Sequence, residues 1–380
     1  MKCKSITLNS FRNIEAETLE FCDGVNVLWG KNAQGKSNML EGIYFFARGR
    51  SFRGAKEKEM IRFQDSFSSL SLDFIKDSDT YTTNLTVNLS AEGRKTITRN
   101  GARLSGTKEM IGSFRAVLFC PAHLTLVSGG PALRRSFMDI ALSQLYPAYL
   151  DSLSRYNKAL LQRNALIKKA AGSGKSAFDD YIWETYAEQM ATYGSFVAKK
   201  RSEYMTLLSG AVEKLFSEMT EGAEKPSLIY RSSLLSEKEE AEEGCISGKD
   251  KLYEALLSNI DREIHMNATL YGVHKDDIQI KLNSKDAKTY ASQGQQRSLA
   301  LAMKLSEGEM SKRIGGEYPV FLLDDVLSEL DGDRRRYVLT NLSDRQLIVT
   351  SCEPDIFRSL SSEARLLHTQ NGKIVDIDGK

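Results

Sequence analysis

The stretch Val25-Asn26-Val27-Leu28-Trp29-Gly30-Lys31-Asn32-Ala33-Gln34-Gly35-Lys36-Ser37 joins a short apolar strand to the pattern G-x-x-x-x-G-K-[ST]. The residues after Ser37, NMLEGIYFFA, continue as an apolar helix. Strand, glycine loop and helix in that order make a phosphate cradle. Gly30 and Gly35 let backbone N–H groups turn inward, and the helix N-terminus adds the positive end of its dipole. Lys31, Asn32, Ala33 and Gln34 complete the loop, Lys36 reaches the β- and γ-phosphates, and the Ser37 hydroxyl is placed to ligate Mg2+. The expected ligands are therefore ATP and Mg2+. A second GKS, Gly174-Lys175-Ser176, has Lys169 where the first glycine belongs and follows a helical stretch, so it is predicted to be a connection between helices.

With 380 residues the chain is longer than one hydrophobic core usually supports, and two lobes are expected. The formal net charge of +2 supplies no general attraction to nucleic acid, so any such surface must be a local patch. Five scattered cysteines without CxxC spacing fit reduced thiols. The N-terminus lacks the apolar core of a signal peptide, and no apolar run approaches the roughly 20 residues that span a bilayer. Leu70, Leu72 and Phe74 alternate with polar residues, as do Tyr81, Thr83, Leu85, Val87 and Leu89, predicting half-buried antiparallel strands. Asn100-Gly101 predicts a tight hairpin. From Pro131 to Asn267 the period becomes helical, with Trp183, Tyr186, Ala187, Met190 and Val197 on one face. No heptad seam persists, and the acidic run Glu237–Glu243 is read as a solvated surface segment.

The second half carries the complement of the phosphate loop. Val320-Phe321-Leu322-Leu323-Asp324-Asp325 is a buried strand ending in two carboxylates, the Walker B arrangement. Asp324 is expected to hold Mg2+, and Asp325 to orient or deprotonate the attacking water, with Lys36 as the other catalytic residue. Ser292-Gln293-Gly294-Gln295-Gln296 precedes a helix, and Ser328-Glu329-Leu330-Asp331 follows the Walker B strand. Singly, S-x-G-Q also reads as a helix cap. In this order the motifs resemble the ABC-ATPase heads. That resemblance implies a signature (Ser292, Gly294, Gln295) that binds the γ-phosphate in trans across a dimer, a D-loop with Ser328 and Asp331 at the interface, and Thr350 at the switch position.

The signature begins 255 positions beyond Ser37, too far for a transporter ATPase and too near for the long coiled coil of SMC proteins. This spacing resembles the RecF family. Asn9-Ser10-Phe11-Arg12-Asn13, Ser51-Phe52-Arg53, the block Phe119–Asp139, Tyr271–Asp277 and Ala291–Ser298 are similar to segments of that family. Val273, Lys275 and His123 depart from its pattern. The resemblance implies an α/β fold: an ABC-ATPase head with a mixed or antiparallel β subdomain (1–125 and 275–380) and an inserted α-helical arm (126–274). It implies that Arg12 and Asn13 join the ATP site, and that ATP drives homodimerisation. It further implies binding of double-stranded and gapped DNA, partnership with RecR and RecO, indirect help to RecA loading in repair and replication restart, and a nucleoid-associated cytoplasmic location. Asp325, where transporters use Glu, predicts slow hydrolysis, and the resemblance implies that DNA stimulates it. Candidate DNA contacts are Arg48, Arg50, Arg53, Arg134, Arg135 and the run Arg334-Arg335-Arg336, the last equally readable as a solvated helix face. His274 is read as a hydrogen-bonded turn in preference to a nucleotide sensor, and His123 as structural. No His/Cys/Asp grouping has metal-ligand spacing. The competing readings are an OLD-type nuclease, which needs a further acidic metal domain, and a non-enzymatic DNA scaffold.

Overall fold

The structure, a computed structural model, describes residues 1–173, 178–235, 248–352, 357 and 364–378; the second GKS, the acidic run and Cys245 lie outside these. Two compact units are present: Met1–Thr125 with Arg297–Lys380, and Leu126–Gln296. In chain order the first unit opens with β1 Lys2–Phe11, β2 Ile14–Glu20, β3 Val25–Trp29, α1 Lys36–Arg48, β4 Phe67–Ile75, β5 Thr83–Ser90, β6 Lys95–Arg99, β7 Ala102–Arg103 and β8 Ala116–Phe119. The second unit holds α2 Pro131–Leu145, α3 Pro147–Ser173, α4 Asp180–Met219, β9 Pro226–Arg231, α5 Lys249–Ser258, α6 Ile260–Met266, β10 Asp277–Leu282 and β11 Lys285–Asp286. Helix α7 (Gln293–Gly315) starts there and returns the chain to the first unit, which closes with β12 Val320–Asp324, α8 Gly332–Asn341, β13 Leu347–Ser351, β14 Arg365–Gln370 and β15 Lys373–Asp378.

The first unit is built on two sheets. One is antiparallel, in the order β2-β1-β4-β5-β6-β7. Its inward positions Leu70, Leu72, Phe74, Leu85, Val87 and Leu89 are buried, as the alternation predicts, although Tyr81 stays exposed ahead of β5. Asn100 and Gly101 both take positive φ and turn β6 into β7, as an Asn-Gly hairpin requires. The other sheet runs β15-β14-β3-β13-β12-β8, parallel from β14 to β8, with β15 alone antiparallel. Helix α1 touches β1 and β4 of the first sheet and β8, β12 and β13 of the second. It is buried over Met39–Ala47, and Gly42 is needed because a Cβ there would sit 2.7 Å from Leu8 Cδ2.

The second unit corrects two expectations. The region 131–267 is not helical throughout, since β9 interrupts it. The unit also runs to Gln296 instead of ending at 274, because β10 pairs with β9 from Asp277↔Arg231 to Leu282↔Pro226. Helices α3 and α4 form an antiparallel pair. Arg155 lies over the Tyr193 ring, and Trp183 packs against Leu166, Ile167 and Ala170. At 40 residues α4 is about 60 Å long. No helix among the described residues is long and apolar enough to cross a membrane.

Buried charges knit this unit. Arg163 and Glu263, both fully enclosed, pair at 2.7 Å. Arg201 donates to Asp139 and to the Val273 carbonyl, while Asp276 accepts from the Tyr230 hydroxyl and from Ser233 N–H. His274 sits beside this hub. Its Nε2 faces the Thr269 carbonyl at 3.1 Å, which can only accept, so Nε2 carries the proton and Nδ1 accepts from the Tyr156 hydroxyl at 2.7 Å. Gly272 makes the turn at φ +124°, where a Cβ would lie 2.3 Å from the Tyr156 oxygen. The hydrogen-bonded turn expected for His274 is what the structure contains.

Burial pushes the His274 imidazole down to about 4. Above its unfolded value of roughly 6.5 both states are neutral and stability does not depend on it. As pH falls below that value, the unfolded chain takes up a proton that the folded chain excludes. Stability is therefore lost between about pH 6.5 and 4, by up to ~3 kcal/mol. Urea unfolding near pH 7 and near pH 5 should show a smaller acid-induced loss for His274→Asn than for the wild type. Equal losses would assign that titration to other groups.

Candidate functional site

Three adjacent parallel strands end at one edge of the mixed sheet. The order β3-β13-β12 and the pairings Thr350↔Leu28, Ser351↔Trp29 and Asp324↔Thr350 bring the phosphate loop, Thr350 and Asp324 to neighbouring strand ends. This is where ligands bind in open parallel sheets. The local sequence holds the loop in shape. Gly30 has φ +145°, and a Cβ there would lie 2.4 Å from the Thr369 carbonyl oxygen; Gly35 has φ +104° and is crowded by Asn13 and Gly372. Gly35 caps α1 without a side-chain hydrogen bond, leaving the helix N–H groups for an anion. Behind the loop, the Asn371-Gly372 hairpin turn donates two N–H groups to Gln34, each at 2.8 Å. That turn carries the Asn-Gly signal and lies in a part of the sequence not read as strand.

An open pocket of about 330 Å3 lies over the loop, lined by Asn13, Asn32 to Asn38, Arg53 and Asp325. Lys36, 3% exposed, donates to the carbonyls of Gly30 at 2.7 Å and Lys31 at 2.9 Å. Asp324 is buried, and its Oδ1 accepts from the Thr350 hydroxyl at 3.0 Å. Asp325, half-buried, has its carboxyl raised above the ordinary value, chiefly by burial; the Lys36 charge opposes the shift and Asp324 adds to it. The donor set suits Mg2+, a hard ion that uses one or two carboxylates and completes its shell with phosphates and water. Ser37 and Asp324 supply such oxygens, and no cluster of three His, Cys, Asp or Glu side chains exists among the described residues.

The structure corrects several arginine assignments. Arg12 does not line the pocket: its guanidinium pairs bidentately with Glu41 of α1 at 2.7 and 2.9 Å and donates to the Glu59 carbonyl. Glu41 is fully buried, so its carboxylate depends on this pairing. Arg53, a DNA candidate, is exposed and lines the pocket over the phosphate loop, donating to Asn38 at 2.8 Å. Arg134 is buried and bidentate to Asp277, and Arg135 donates to the Asp276 carbonyl, so Arg134 is unavailable to DNA. Arg334 donates to Ser298 and Asp331, while Arg335 holds the Leu327 and Leu330 carbonyls; both brace the D-loop. Arg48 is half-buried, whereas Arg50 is exposed and Arg336 is 71% exposed beside Asp333. His123 is structural, its Nδ1 accepting from Cys120 N–H.

In the second unit the signature begins α7 with a reciprocal box. Ser292 Oγ accepts from Gln295 N–H at 3.2 Å, and Gln295 Oε1 accepts from Ser292 N–H at 2.6 Å. Ser292 is exposed, and a hydroxyl that accepts from Gln295 keeps its proton to donate. The segment expected to be the signature is thus a helix cap in this structure. In the first unit Asp331 caps α8 by accepting from Arg334 N–H.

A family model described as the RecF/RecN/SMC N terminal domain matches residues 2–375. The DNA replication and repair protein RecF of Caldanaerobacter subterraneus subsp. tengcongensis is 37% identical over 350 residues, 92% of this chain and 94% of its own length. That of Clostridioides difficile is 35% identical over 379 residues, 100% of this chain and 99% of its own. A solved structure of the recombination mediator protein RecF-ATPrS in the RecFOR pathway is similar with a TM-score of 0.90 at 33% identity, covering 100% of this chain and 98% of that one. An SMC head bound to the C-winged helix domain of ScpA, at TM-score 0.56 and 14% identity over 98% of this chain and 96% of that one, shares the ABC-ATPase head fold. With a phosphate loop, a paired-carboxylate strand and this likeness along its whole length, the chain belongs to the RecF/RecN/SMC family and, within it, to the RecF branch.

Proposed function

We propose that this protein is an ATP-dependent DNA-binding recombination mediator whose site is completed by a second copy of itself. The pocket that gathers Lys36, Ser37, Arg53 and Asp325 on one phosphate loop carries this reading. Lys36 and the α1 N-terminus hold the phosphates, and Ser37 with Asp324 would hold Mg2+, which supplies charge neutralisation when bound. Ser292 and Gly294 of the second copy meet the γ-phosphate. Asp325 accepts a hydrogen bond from the attacking water. The water oxygen bonds to the γ-phosphorus as the bond to the bridging oxygen breaks, giving ADP and phosphate, and the proton leaves through the carboxylate. With the short Asp side chain the step is slow and acts as a timed reset. Duplex and gapped DNA is held mainly through phosphates, with Arg50, Arg53 and Arg336 as the exposed candidates among the arginines singled out. The relatives' naming in the RecFOR pathway supports a role with RecR and RecO that promotes RecA loading.

Light scattering with and without ATP and duplex DNA tests the core of this reading: ATP should double the particle mass. Lys36→Ala should lose ATP affinity by roughly tenfold or more, and retained affinity removes the phosphate-loop assignment. Ser292→Ala should bind ATP normally and fail to dimerise; normal dimerisation excludes the in-trans contact.

Asp325→Asn should remove most of the turnover while leaving ATP affinity within about twofold, and wild-type turnover in Asp325→Asn would place the base elsewhere. DNA affinity should decline steeply with salt, by about one log unit per log of salt for each phosphate contact. A flat dependence is incompatible with phosphate-dominated binding.

A further inference from the structure

The backbone of Asp325 is gripped on both sides by hydroxyls. Its N–H donates to Thr350 Oγ1 at 2.9 Å, and Thr350 in turn donates to Asp324 Oδ1 at 3.0 Å. Its carbonyl accepts from Ser328 Oγ at 2.6 Å. Between these bonds Asp325 takes the left-handed conformation, φ 51° and ψ 12°. A non-glycine residue in that region carries strain and persists only where its surroundings over-determine it. A residue in the ordinary extended conformation would send the strand onward and aim its side chain elsewhere. The turn instead places Asp325 in the lining of the same pocket as Lys36, while Asp324 is buried.

We propose that Thr350 and Ser328 are positioning residues for ATP hydrolysis: their hydroxyls clamp residue 325 in the left-handed turn that presents its carboxylate to the water. The inference rests on the reading of Asp325 as the group that meets that water. The two hydroxyls have different surroundings. Thr350 is 1% exposed and belongs to the core of the mixed sheet, so its half of the clamp is permanent. Ser328 is exposed and lies in the short 3-10 turn Val326–Glu329, so its half answers to whatever touches that turn. Neighbouring bonds brace the same turn. Arg335 holds the Leu327 and Leu330 carbonyls, and Arg297 donates to the Glu329 carbonyl at 3.2 Å. A second copy pressing on this turn would tighten or release the Asp325 carbonyl, linking turnover to assembly without touching the nucleotide.

The test uses the full chain with ATP, Mg2+ and duplex DNA, measuring single-turnover hydrolysis, affinity for a fluorescent ATP analogue, and thermal melting. Thr350→Val keeps the shape and removes both hydroxyl bonds. It should lower the rate about 10- to 100-fold while leaving nucleotide affinity within about twofold. Thr350→Ser should restore the rate to within about threefold of wild type. Ser328→Ala should lower the rate about 3- to 10-fold with melting and affinity unchanged. Wild-type turnover in Thr350→Val, or parallel loss of turnover and affinity, overturns the clamp. Should Thr350→Val fail to fold, the exposed Ser328→Ala decides alone, and an unchanged rate there overturns it. Asp325→Asn separates the two levels. If Asp325→Asn turns over normally, the reading of the site fails; if it is slow while Thr350→Val is normal, only the clamp fails.

Discussion

Helix α1 has no polar face to give to water. Met39, Leu40, Ile43, Tyr44, Phe45, Phe46 and Ala47 point all round its axis, and every one is buried. Such a helix is stable only when covered on all sides. A single sheet covers one face, so the first unit needs two, and strands of both the antiparallel and the mixed sheet pack on α1. The position of the phosphate loop follows. It is the connection into this helix from β3, so its glycines lie where the parallel strands end and where the uncapped helix N-terminus points. Glu41, trapped at the centre of the helix, is satisfied by Arg12 and by the Ser51 hydroxyl. The same helix therefore decides that the Arg12 charge is spent inside the fold and that Arg53, two residues beyond Ser51, turns to the pocket.

The phosphate loop and the Walker B strand were legible in the sequence because both are local. One needs glycines at fixed offsets between a strand and a helix, and the other needs an apolar run ending in acid. The alternation of Leu70 to Phe74 and of Thr83 to Leu89 was legible for the same reason. Strand β9 was not, since Pro226–Arg231 is short and sits beside long helical patterns, and only its pairing with β10 makes it a strand. That pairing also carries the second unit past 274. The Asn371-Gly372 turn behind the loop had a clear local signal, but its meaning is non-local: it buttresses Gln34 across more than 300 positions of chain.

The arginines show where charge counting stops. Eight were marked as DNA candidates by sequence neighbourhood alone. A buried guanidinium is costly unless nearby acceptors answer it: Arg134 is answered by Asp277 and by the carbonyls of Leu126, Val127 and Gly129, and the half-buried Arg335 by the carbonyls of Leu327 and Leu330, partners that no spacing rule reveals. The run Arg334-Arg335-Arg336 divides accordingly. Its first two members tie the D-loop to α7 and to α8, and the third faces solvent. A net charge of +2 is thus compatible with a basic surface only where arginines are not already committed to the fold.

The box at Ser292 shows how a helix cap can also be suited to an anion. S-x-x-Q at a helix start is a sufficient structural cap, and here both of its reciprocal bonds are present. Capping consumes the acceptor side of Ser292 and the N–H of Gln295, yet the hydroxyl proton of Ser292 remains to be donated, and it lies on an exposed residue. A helix terminus that satisfies itself only in part has a residual preference for an anion. An anion bound there gains most when it is already held by another positive site, because the second contact then costs little further ordering. Lys36, whose ammonium donates to two carbonyls of its own loop and faces the Cys352 sulfur at 3.8 Å, lines the pocket and would provide that first hold. Neither feature alone selects a triphosphate over smaller anions. In the proposed assembly, a γ-phosphate shared between the loop of one copy and the box of another would make dimerisation depend on the terminal phosphate, and its cleavage would remove the group that both copies hold.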